Sequence, residues 1–152
     1  MSPSKVSRRI VLDRSAWVDR MLGEIRALPL ADRALFLADN RNVWAAESCL
    51  RRAIEALFDI GRHVLARGFG RGDVEYREIA AGLGETGVLD ADESALMRRL
   101  AGYRNRLVHF YHEVSFEELY DICSRQAGDL ARIRGAFNRW MDVHPEMVDA
   151  TF

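Results

Sequence analysis

Arg104, Asn105, His109 and Tyr111 stand close together in the stretch AGYRNRLVHFYHEV, in the pattern Arg-Asn-x3-His-x-Tyr. An imidazole gives or takes a proton near neutral pH. A guanidinium holds a phosphate and the charge that builds on it during reaction. Together they suit RNA cleavage without a metal, in which the ribose 2′-hydroxyl attacks the neighbouring phosphate. Taken singly, each has an ordinary structural role, the arginine in a surface ion pair and the histidine as a polar helix position. The joint spacing is the informative feature. On a regular helix of about 100° per residue, Tyr111 returns to nearly the side of Arg104, while His109 lies about 140° round from it. Convergence then requires either that the helix loosen near His109 or that a second copy of the chain complete the site.

The frame around these residues is helical. Leu96, Leu100, Tyr103, Leu107, Phe110 and Val114 fall three or four apart, which predicts a helix over about 91–112 with one continuous buried stripe. Arg98, Arg99 and Arg106 add cationic charge, and no acid lies between Ser94 and His112. A second row, Glu55, Asp59 and His63, has i, i+4 spacing beside the apolar stripe of the longest helical pattern. The functional reading gives Glu55 or Asp59 the task of orienting Arg104 or of supplying a second acid-base group. The other reading is a solvated face whose acids pair with Arg51, Arg52 or Arg62.

The remaining periodicity predicts an all-α protein. A first helix covers 13–28 and ends at Pro29, and a short helical link follows over 31–39. The long helix runs over 42–67 until three glycines between Gly68 and Asp73 release the chain, and a short helix covers 74–83. Asp90 or Asp92 caps the helix that carries the chemistry, and Ser115 with Glu118 opens the last helix as a capping box, which His144-Pro145 ends. Segment 1–12 reads as a loose end or a packed arm, and 144–152 as a loose tail. The expected architecture is a single domain over 1–152, an up-and-down bundle of four to five helices.

Composition narrows the function classes. The 152 residues are 49% apolar and 30% charged, enough for a real core and against disorder. A formal net charge of −1 argues against a general electrostatic grip on nucleic acid, so any RNA contact is expected to be local. Lys5 is the one lysine, and the remaining cations are arginines, whose planar fork suits phosphate. Cys49 and Cys123 have no zinc or redox spacing and are expected as reduced thiols. His109, His112 and Glu113 present no good ligand face, so no metal and no cofactor is expected. The glycines of 68–72 lack the ending of a phosphate loop. With no signal peptide and no apolar span, the expected location is the cytoplasm, away from membranes.

The segment RNRLVHFYHEV, preceded by LAGY, resembles the signature of HepT-like proteins of the HEPN superfamily. AIEALFDIGRHVLA is similar to that family's acidic long helix, and the stretch from YREI to GVLD to its connecting region, so the resemblance covers about 40–130. It implies a HEPN-like homodimer with the motif helices lining a shared cleft. It also implies a metal-independent endoribonuclease acting as the toxin of a toxin-antitoxin pair, with a minimal nucleotidyltransferase as antitoxin. Arg104 and His109 are then the catalytic pair and Asn105 a supporting polar residue, with Arg106 helping to hold phosphate. Tyr111 takes the place of the tyrosine to which the partner adds AMP. A non-catalytic module that holds a nucleotide or docks a nucleotidyltransferase is the alternative. Two departures are the weak match of the first 40 residues and the bulky ring of Phe110.

Overall fold

A computed structural model describes residues 4–151. Four long helices, α1 (Arg8–Arg26), α3 (Asn40–Phe69), α5 (Ala91–His109) and α6 (Phe116–Val143), and two short ones, α2 (Arg33–Leu37) and α4 (Tyr76–Glu85), form the bundle. The fold is all-α, as the patterning predicts. Helix α3 is central and packs against each of the others. Its inner face, from Val43 through Leu50, Leu57 and Val64, is fully buried or nearly so. No helix among the described residues is long and apolar enough to cross a membrane.

Helix ends follow local chemistry. Asp39 caps α3 by accepting the Arg41 N–H, and Gly70 ends it in the left-handed conformation at φ 65°, where a side chain is disfavoured. Gly61, midway along α3, admits α4: a Cβ there would lie 2.9 Å from both Ile79 and Leu83. That close approach sets α4 against α3 through Ile79 and Leu83.

The ends of the chain depart from expectation. Helix α1 begins at Arg8, because Ser7 caps it by accepting the Ile10 N–H and Val11 faces the core. Val6–Ser7 (β1) pairs in parallel with Val148–Asp149 (β2), and Val6 is fully buried. Ser7 also donates its N–H to His63 Nε2 at 2.9 Å. The N-terminal segment is therefore a packed arm, tied to α3 at Ser4 by its N–H to the Arg67 carbonyl and buried at Val6, and it holds the C-terminal one; of the two ends read as loose, residues 1–3 and 152 lie outside the described residues.

The helix that carries the motif is shorter than its periodicity suggests. α5 stops at His109, three residues before the expected end; Phe110 leaves it at φ −130°, ψ 35°, and Tyr111–Glu113 form a 3-10 turn. Ser115 must be extended (φ −73°, ψ 159°) to cap α6, so the chain has to reverse within the few residues before it. Phe110 is accordingly 43% exposed, and the buried stripe of α5 ends at Leu107. The capping boxes also differ from expectation. Ser115 accepts the Glu118 N–H, but the Glu118 carboxylate is taken by Arg106; the reciprocal box is Asp90 with Glu93 at the start of α5.

Candidate active site

Helix α5 brings Arg104, Asn105 and His109 to one open cavity of about 500 Å3, closed on its other side by Glu75, Tyr76 and Arg77 of the α4 entrance. Asn105 and His109, one turn apart, are exposed, whereas Arg104 turns inward toward α3 and is partly buried. The cavity is wide enough to collect side chains from different sides of a regular helix. α5 loosens only after His109, and these three groups share a cavity within one chain.

Arg104 is held from two directions. Its Nη2 donates to Glu55 Oε2 at 3.2 Å, and the other Glu55 oxygen accepts from Arg51 Nη1 at 2.8 Å. Its guanidinium carbon lies 4.8 Å from the centre of the Tyr76 ring. The Arg104 Nε is buried and makes no hydrogen bond among the described residues. Glu55 thus makes the orienting contact left open between it and Asp59. Asp59 instead pairs with Arg62 at 3.3 Å and Arg14 at 3.9 Å, as a solvated acid would. His63, the third member of that row, is spent on the Ser7 amide.

Two other residues of the motif region lie elsewhere. Arg106 reaches α6, where its two terminal nitrogens grip both Glu118 oxygens, the second at 2.9 Å. That contact raises the guanidinium and holds the Glu118 carboxyl below the usual carboxylate range. Arg106 therefore braces α5 against α6 and does not line the cavity. Tyr111, expected on the Arg104 side, is carried away by the 3-10 turn. It is 65% exposed and lines a separate groove with Val43, Trp44, His112 and Phe116.

Tyr76 is the residue the spacing arguments missed. It stacks on Phe58 with ring centres 4.1 Å apart and planes 3° from parallel, and burial pushes its phenol up, so it remains neutral. No sequence-local signal joins it to Arg104, because the contact depends on α4 folding back onto α3. Of the cysteines, both are free; Cys123 lies in the core, where burial pushes its thiol up to about 12. Among the described residues no group of three or more His, Cys, Asp or Glu converges as metal ligands would.

Comparison with known proteins agrees with this description. Residues 19–136, from within α1 to within α6, match the family described as Ribonuclease HepT-like, and the chain belongs to that family. Its fold is similar to that of a tri-AMPylated Shewanella oneidensis HEPN toxin in complex with an MNT antitoxin, with a TM-score of 0.78 at 19% identity over 86% of this chain and 97% of that one. A toxin-antitoxin complex with AMP-PNP gives a TM-score of 0.76 at 19% identity, covering 84% of this chain and 97% of that one. YutE from Bacillus subtilis, a cytosolic protein of unknown function, gives 0.75 at 19% identity over 95% of each chain. No curated protein matches.

Proposed function

We propose that this chain is a metal-independent endoribonuclease and acts as the toxin of a toxin-antitoxin pair. The observation that carries this reading is the meeting of Arg104, Asn105 and His109 in a cavity open to a polymer. In the reaction, His109 takes the proton of a ribose 2′-hydroxyl, whose oxygen bonds to the adjacent phosphorus. The bond from phosphorus to the 5′-oxygen breaks, and that oxygen takes a proton from solvent. The products are a 2′,3′-cyclic phosphate and a 5′-hydroxyl. Arg104 offers N–H groups to the phosphate oxygens as their charge rises, and Asn105 supports the phosphate from the exposed side.

Regulation follows from Tyr111. Its exposed hydroxyl is open to a partner enzyme, and a HEPN toxin of the same fold is AMPylated in complex with its MNT antitoxin. The proposed partner is a minimal nucleotidyltransferase that transfers AMP to Tyr111, adding bulk and phosphate charge. Since Tyr111 lies outside the cavity of its own chain, silencing by AMP acts on the cavity of a second copy in a homodimer. The exposed rings of Trp44, Phe110 and Phe116 around it offer an apolar face for that copy. Such a toxin works on cytoplasmic RNA.

The test is RNA cleavage by the purified chain in excess chelator. The expected result is cleavage by the wild type, lost by at least a hundredfold in His109→Ala and Arg104→Ala, both with unchanged helical circular dichroism. RNA left intact by a folded, unmodified wild type would overturn the nuclease reading and leave the family's fold as a binding module.

A further inference from the structure

The geometry points to Tyr76 as the positioning residue that holds the Arg104 guanidinium for the reaction, an inference that rests on the ribonuclease reading above. Tyr76 opens α4, just after the glycine-rich break, and lines the cavity together with Arg104, Asn105 and His109. Phe58, fully buried in α3, covers one face of its ring. Arg104, on the cavity side, lies over the ring at 4.8 Å. With one face against the core and the other beneath the guanidinium, the ring has no free face on which a nucleobase would stack. Its contact with the reaction therefore runs through Arg104.

The arrangement fixes the guanidinium in two independent ways. Glu55 supplies a charged acceptor at 3.2 Å to one terminal nitrogen, which sets direction along the side chain. The ring of Tyr76 supplies a flat, electron-rich surface, which draws the cation against its face at 4.8 Å. Either restraint alone leaves a motion free, about the hydrogen bond in the first case and over the face of the ring in the second. Together they leave the other terminal nitrogen aimed along one direction. Burial keeps the phenol neutral, so the face of the ring and not a phenolate charge does the holding.

The experiment compares Tyr76→Phe, which keeps the ring, with Tyr76→Leu, which removes it. Two readouts are taken on the full chain. The first is the Arg104 guanidinium signal in 15N NMR, identified by its disappearance in Arg104→Lys; the second is kcat and KM for RNA cleavage. The wild type and Tyr76→Phe are expected to show an upfield, slowly rotating Arg104 group, which moves to the free-arginine position in a folded Tyr76→Leu. Cleavage by Tyr76→Leu is expected to lose about tenfold to a hundredfold in kcat, with KM within about twofold of wild type, while Tyr76→Phe stays within about twofold in both. An unchanged Arg104 signal in Tyr76→Leu, or a loss confined to KM, overturns the inference. If no protein in the set cleaves RNA, the ribonuclease reading fails, and the NMR signal alone still decides whether Tyr76 holds Arg104.

Discussion

Glu55 serves two arginines with its two oxygens, Arg51 along α3 and Arg104 across from α5. Partly exposed ion pairs of this kind contribute about 0–1 kcal/mol each. Their removal therefore leaves the fold in place while changing where Arg104 points. Glu55→Gln is expected to lower kcat about tenfold and to shift the melting temperature by only a few degrees; collapse of the fold, or wild-type turnover, would show that Glu55 has another role. At this scale, Arg104, Asn105 and His109 were legible as residue types at close spacing, but their convergence was not, since the helix turns His109 about 140° from Arg104 and it is the width of the cavity that lets both line it. Glu55 was legible as one of two candidates. Asp59 and Arg106 were plausible by the same reasoning and fail for a physical cause, since nearer or better-aligned partners, Arg62 and Glu118, take them. Tyr76 had no such signal.

At the scale of elements, the arm before α1 is tied to α3 by a hydrogen bond that depends on protonation. The Ser7 N–H can donate to His63 Nε2 only while that nitrogen is unprotonated. Burial, with Arg67 and Arg14 nearby, pushes the His63 imidazole below its ordinary 6.5. Above that pH both folded and unfolded chains are neutral at this residue, and its titration costs nothing. As pH falls through 6.5, the unfolded chain binds a proton that the folded chain resists, so stability declines until the lower folded value is reached. Melting curves between about pH 7.5 and pH 5.5 should show a loss in wild type that is absent in His63→Gln, whose amide oxygen accepts the same bond without titrating. Parallel curves for the two would contradict this account. The arm was one of two sequence readings of residues 1–12, and nothing chose between them, because a pair of two-residue strands has no period to detect. The early end of α5 was hidden for a related reason. The apolar spacing continues through Phe110 and Val114, and only the need of Ser115 for an extended backbone breaks it.

For the whole molecule, the all-α bundle was legible because each long helix carries a continuous apolar face, and α3 carries one along nearly its whole length. The family was legible because the ordered set of α3, the connecting region and the motif is conspicuous even where each part is modest. The central claim is that the Arg104 and His109 cavity drives the 2′-hydroxyl against the phosphate. The most direct measurement takes one short RNA that the protein cleaves, a second version with 2′-deoxyribose at the cleaved position, and mass spectrometry of the ends. The account predicts a 2′,3′-cyclic phosphate and a 5′-hydroxyl from the RNA, and no cleavage of the deoxy-substituted version. A 3′-hydroxyl with a 5′-phosphate, or undiminished cutting of the substituted version, would mean that water is the nucleophile and would contradict it.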